Sequence, residues 1–127
     1  MAVNYDSVTQ TARMNATLAR IDNSAAPATL EIGTAAMAAV LVVITLNDPS
    51  FSVSGTPAKL TMLGVPKSGT AGASGTAAAA RIKDGSGTPI INGLTVGVSG
   101  ADINLNSTAI SNGQTVTVST GTITHSP

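Results

Sequence analysis

The chain has 127 residues, six basic against six acidic side chains for a formal net charge of zero, and no cysteine. That is one domain's length, long enough to bury a core. The composition excludes a disulfide framework, a thiol nucleophile and thiolate metal sites. It also removes any electrostatic case for nucleic acid or anionic lipid as a partner. Charged residues make up 9% and aromatics 2%, with Tyr5 and Phe51 the only aromatic side chains, while 43% of the chain is hydrophobic. Such a chain folds, because disordered ones are charge-rich and apolar-poor. Its core must come from Val, Ile, Leu, Met and Ala. An exterior of Thr, Ser, Ala and Gly is poorly guarded against association, so neighbours are expected to cover part of it.

The segment DSVTQTARMNATLARIDNS opens with a helix-start signature in which Ser7 and Gln10 fit a capping box. Met14, Leu18 and Ile21 then form one stripe, with Arg13 and Arg20 on another face, predicting a helix over about 7–22. The N-terminal segment Ala2 to Val8 is a candidate arm for gripping a neighbour. An N-terminal arm and helix over about 1–24 and a β-sandwich over about 28–125 make a single domain, 1–127.

After Pro27 the period changes. ATLEIG alternates Leu30 and Ile32 with polar neighbours, as a strand does. AVLVVITL is a β-branched run read as a strand buried on both faces, and the Ala-rich stretch before it reads as a helical turn. Ala35 to Leu46 holds twelve residues, too few for a helix crossing a bilayer, which needs about 20. With no basic segment before an early apolar run, no signal peptide and a soluble chain are expected. Phe51 and Val53 suggest a short strand and AKLTMLGV another. PKSGTAGASGT lacks a period and reads as a loop. AAAARIK, the turn DGSG and TPIINGLTV make a hairpin. ADINLN, QTVTVS and TGTITH read as three final strands, with SNG turning into the second. The expected fold is mainly β: an antiparallel β-sandwich or jelly-roll-like barrel with one N-terminal α-helix.

Few residues offer chemistry. Asp102, Asn104 and Asn106 occupy the first, third and fifth positions of an EF-hand-like loop, but Ser107 stands where the glycine belongs and Gly113 where the bidentate glutamate belongs. A strand with a polar face explains them better, and no metal or cofactor is expected. His125 lies two residues from the C-terminus and is the sole histidine, which leaves a serine–histidine pair without footing. A glycosidase needs two carboxylates across a cleft. Asp6, Asp22, Glu31, Asp48, Asp84 and Asp102 instead fall mostly at helix ends and turns, with Asp48 before Pro49 and Asp84 before Gly85 as turn formers. SGTAGASGT lacks both phosphate-loop patterns. Arg81 and Lys83 share a strand face with Asp84 adjacent, and local ion pairing accounts for them. The Asn15–Thr17 and Asn106–Thr108 acceptor patterns matter only in a secreted eukaryotic chain. No catalytic set emerges.

TARMNATLARID, ATLEIGT, GTAAAARIKDGSG and GVSGADINLNSTAISNGQTVTVSTGTIT together resemble a family of small structural proteins encoded among the virion genes of tailed bacteriophages. The resemblance covers most of the chain and is densest from Gly75 to Thr124. The chain departs from the family pattern at Ala80, before Arg81, and at Gly33-Thr34, where aromatics are usual. The resemblance implies a virion protein, foremost a capsid decoration or cement protein on the outer surface of the phage head, with no active site. With the low charge, it implies a major capsid protein and copies of the chain itself, as a trimer, for partners. A tail, neck or fibre-associated protein is the alternative, and a carbohydrate-binding β-sandwich is disfavoured by the shortage of aromatics. Thr115, Thr117 and Thr122 suit sheet-to-sheet contacts between copies.

Overall fold

The computed structural model describes residues 6–23, 26–47, 50–55 and 58–124. Its single long helix, α1 (Ser7–Ile21), matches the stripe of apolar positions: Met14 and Ile21 are buried, and Leu18 packs against the core. The cap differs from the expectation. Asp6 is the N-cap, and its carboxylate accepts from the Thr9 amide at 2.7 Å. Ser7 is already helical. Gln10 is drawn away by a tertiary partner, its side-chain oxygen accepting from the Ala58 amide at 3.1 Å. No described helix is long and apolar enough to cross a membrane.

Eleven strands follow in the described residues: β1 (Thr29–Gly33), β2 (Val40–Thr45), β3 (Phe51–Ser54), β4 (Lys59–Met62), β5 (Lys67–Thr70), β6 (Gly75–Thr76), β7 (Ala79–Lys83), β8 (Pro89–Gly97), β9 (Ile103–Leu105), β10 (Ala109–Ile110) and β11 (Thr115–Thr124). Nine form one sheet in the order β2-β1-β7-β8-β9-β11-β4-β3, with β5 also on β11, while β6 and β10 make a separate pair. The sheet curls into a half-barrel. Its inner face is lined by Leu30, Ile32, Ile44, Leu60, Ile82, Ile103, Val116 and Val118, all 1% exposed or less. Phe51, 1% exposed, is the one aromatic in this core among the described residues. The carboxylate of Asp22, at the end of α1, takes the amide and hydroxyl of Ser50 at 3.1 and 2.8 Å. That fixes the helix end to the entry of β3.

The fold is the mainly β, helix-led architecture that the periodicities predict, but four details differ. First, β8 and β9 run parallel, Val96 beside Ile103, so the sheet is mixed. A five-residue return through Gly100, at φ +70°, makes this possible, since only such a backbone reverses so sharply without a steric cost.

Second, the Gly/Ser/Thr segment expected to be a loop contains β5. It pairs with β11 from Thr70–Thr115 to Lys67–Val118. A Cβ on Gly69 would stand 2.9 Å from Ile44 Cγ1 and 3.1 Å from Val42 Cγ2, so the bare residue lets β5 approach β2 closely. The Gly72 amide donates to the Leu41 carbonyl at 2.9 Å and extends that seam. Third, the two last expected strands are one, β11. Gly121 does not turn; a Cβ there would meet Met62 Cε at 2.8 Å and Ile103 Cδ1 at 3.3 Å, so the glycine is a point of close packing.

Fourth, β2 is buried on one face only. Leu41, Val42 and Ile44 are buried, but Val43 is 49% exposed and Val40 36%. The turn before it, Ala35–Met37, is tight but irregular: Ala36 and Met37 have φ of 56° and 57°. Thr34 cinches it, its amide donating to the Ala39 carbonyl and its hydroxyl accepting from the Ala39 amide, both at 3.0 Å.

Candidate functional site: polar clusters and exposed apolar surface

The Asp102–Asn104–Asn106 series is a set of clamps. The Asp102 carboxylate accepts from the Thr95 amide at 3.0 Å, and the Asp102 amide donates to the Thr95 hydroxyl at 3.0 Å. This reciprocal pair holds the turn after β8 against β8 itself. Asn104 spans three segments: its oxygen accepts from the Ala101 amide, and its nitrogen donates to the Ala101 carbonyl and the Thr120 hydroxyl at 2.8 Å. The Asn106 oxygen accepts from the Thr117 amide at 3.1 Å, closing the β9–β11 pairing beyond its last ladder bond. The three side chains thus serve different partners and do not converge. Among the described residues no three His, Cys, Asp or Glu side chains gather as a metal would require.

Among the described residues, Glu31, Arg81 and Lys83 form an ion-paired cluster. The Arg81 Nε lies 2.6 Å from one Glu31 oxygen, and the Lys83 Nζ lies 3.1 Å from the other. The partner of both cations is therefore Glu31 across the β1–β7 ladder, where Glu31 faces Arg81; the expected local pairing with Asp84 gives way to this cross-strand geometry. Burial alone would raise the Glu31 carboxyl. The bonds from Arg81 and Lys83 outweigh it and hold the group below its ordinary range.

Asp84 is a turn former, as its sequence context indicates. Its carboxylate accepts from the Thr88 amide at 2.9 Å and from the Ser86 amide and hydroxyl at 3.0 and 2.8 Å. These bonds, the Thr88 amide foremost, lower its pKa. Asp6 is lowered by its bonds to Thr9. His125 and Asp48 lie outside the described residues, as does the arm through residue 5. Of the candidate contact threonines, Thr117 shares a hydrogen bond with Ser68 at 3.1 Å, Thr122 is half-buried beside Thr61, and Thr115 is exposed.

Four large apolar side chains also lie open among the described residues. Val8 is 76% exposed, at the rim of a shallow depression lined by Ser7, Val8, Thr11 and Gly55. Val98 is 61% exposed, and Val40 and Val43, on β2 after the Ala-rich turn, are exposed as well. The Ala-rich stretch reads as a turn in the sequence, but the exposure of Val40 and Val43 was hidden there, because an uninterrupted apolar run reads as buried. Only the absence of a period in the stretch ahead of Val40 hinted that its four alanines lie open. No family model, curated protein or solved structure matches the chain.

Proposed function

We propose that the chain is a structural virion protein of a tailed bacteriophage, a capsid decoration protein that stabilises the head by binding across capsomers. Its partners are the major capsid protein and further copies of itself, arranged as a trimer. One observation carries this reading. The polar clusters of the described chain are tied into the fold's own hydrogen bonds, while large apolar side chains stand exposed on a surface poor in charge. Interface centres are depleted of charge in the same way, whereas a catalytic or ligand site needs polar groups aimed outward at something. The resemblance of the sequence to small virion proteins supports the same role.

The physics of such a role suits a small module. A protein that binds only the assembled shell stabilises it by mass action, even when each copy is weakly held. Contacts among many copies multiply the effect. The test is co-sedimentation of the purified protein with empty phage heads, followed by heating of decorated and bare heads. Saturable binding with a raised disruption temperature is the expected result. Failure to bind heads, with the protein instead located in the tail by electron microscopy, would overturn the decoration role.

A further inference from the structure

We infer that copies of the chain associate head to tail, the exposed link between β1 and β2 of one copy receiving the start of α1 of the next. The inference rests on the proposed self-assembling role and names the surfaces that carry it.

The receiving face is unusual in two ways. Its link exposes four alanines, and Val40 and Val43 continue the apolar surface onto β2. Its backbone is held at two consecutive left-handed residues, Ala36 and Met37, neither of them glycine. Strain of this kind persists where the surrounding structure imposes it, and it gathers at working surfaces. Gly33 makes room for the link: a Cβ there would stand 2.4 Å from the Ala39 carbonyl and 3.1 Å from Met37 Cε. The link thus packs closely on Gly33 at the end of β1, with Met37 half-buried there and its four alanines exposed.

Charge identifies the occupant. Val43, Glu31 and Arg81 are successive cross-strand neighbours on one face. Glu31 spends both carboxylate oxygens on two cations, so the cluster beside Val43 carries one positive charge in excess. Its Arg81 and Lys83 side chains remain 27% and 23% exposed. The matching surface is an apolar side chain with a carboxylate beside it. The start of α1 supplies that pattern: Val8 is the most exposed large apolar side chain described, and the carboxylate of exposed Asp6 is held at the same helix end by the amide of Thr9, the residue next to Val8. The two patches belong to different parts of the chain, so the contact is heterologous and closes into a ring where the rotation allows.

The test is sedimentation velocity on the full chain from about 1 to 100 µM, with Val43→Glu, Val8→Lys and the double variant. Both valines are exposed, and thermal unfolding checks that each variant folds. Val43→Glu sets a carboxylate against Asp6, and Val8→Lys sets a cation against Arg81 and Lys83. Each alone weakens association about tenfold or more, and the double variant, which pairs the new charges, restores it to within about threefold. A wild-type chain that stays monomeric throughout would overturn the inference. So would association that is indifferent to both changes, or single losses that the double variant does not repair. Association with this pattern in a protein that fails to bind phage heads would leave the inference standing and remove the proposed function.

Discussion

Asp22→Ala probes how the helix is held to the sheet. The Asp22 carboxylate accepts two hydrogen bonds from Ser50, whose residue surface is 0% exposed. Hydrogen bonds to a charged group contribute about 1.5–3 kcal/mol each, and an orphaned buried donor costs about 1–3 kcal/mol. Two donors lose their acceptor together, which sets the gross loss at about 3–4 kcal/mol. Against this, Asp22 is a carboxylate at a helix C-terminus, an unfavourable place relative to the helix dipole, and removing it returns about 0.5 kcal/mol. The net loss is about 3 kcal/mol. That is a large fraction of the roughly 6–19 kcal/mol expected for a domain of this size. Urea unfolding should show the loss with an unchanged m-value, and the melting temperature should fall by about 10 °C. Asp22→Asn keeps one acceptor and should lose about half as much. Ser50→Ala and Asp22→Ala combined should cost far less than their sum, because they remove the same interaction. A loss below about 0.5 kcal/mol, or full additivity, would refute the account of helix docking.

Acid should destabilise the protein through its depressed carboxyls, Asp6, Asp84 and Glu31, and Glu31 is the one to test by substitution. Its folded pKa is depressed, so its contribution is complete above the unfolded value of about 4.3 and is lost as pH falls through the folded one. Stability should be flat from pH 6 to 8 and decline below about pH 4; Glu31→Gln should be less stable at pH 7 and decline less steeply on acidification. Gly33→Ala should destabilise by about 1–3 kcal/mol because its Cβ meets a backbone carbonyl. Gly72→Ala, where nothing lies within 4 Å, should be close to neutral in the same thermal melts. Millimolar calcium should leave the melting temperature of the protein unchanged, whereas Asp102→Ala should lower it through the loss of the Thr95 bonds.

The helix, the β1 alternation and the β7–β8 hairpin were legible because each carries a local period or a turn signal. Leu30 and Ile32 point inward for the reason that their spacing indicates, and Asp84 makes the turn its place before glycine requires. β5 was illegible for a physical reason. Lys67-Ser-Gly-Thr has no apolar pattern, and its strand state comes from β11 on one side and the close approach of β2 on the other. The same holds for Gly121, whose role as a packing point inside β11 cannot be told from a turn until Met62 is placed beside it. Glu31 was missed as the partner of Arg81 and Lys83 because cross-strand register is set by the sheet, and fifty residues separate the pair.

The placement of β11 has a bearing on biosynthesis. This strand, later in the chain than all those it joins, bonds to β9, β4 and β5, and without it no strand ladder links β9 to β4. A chain lacking Thr115–Thr124 should leave those two sets of strands unpaired, so complete folding is expected to wait for β11. Deleting those ten residues should leave aggregation-prone fragments of sheet, not a smaller version of the same protein.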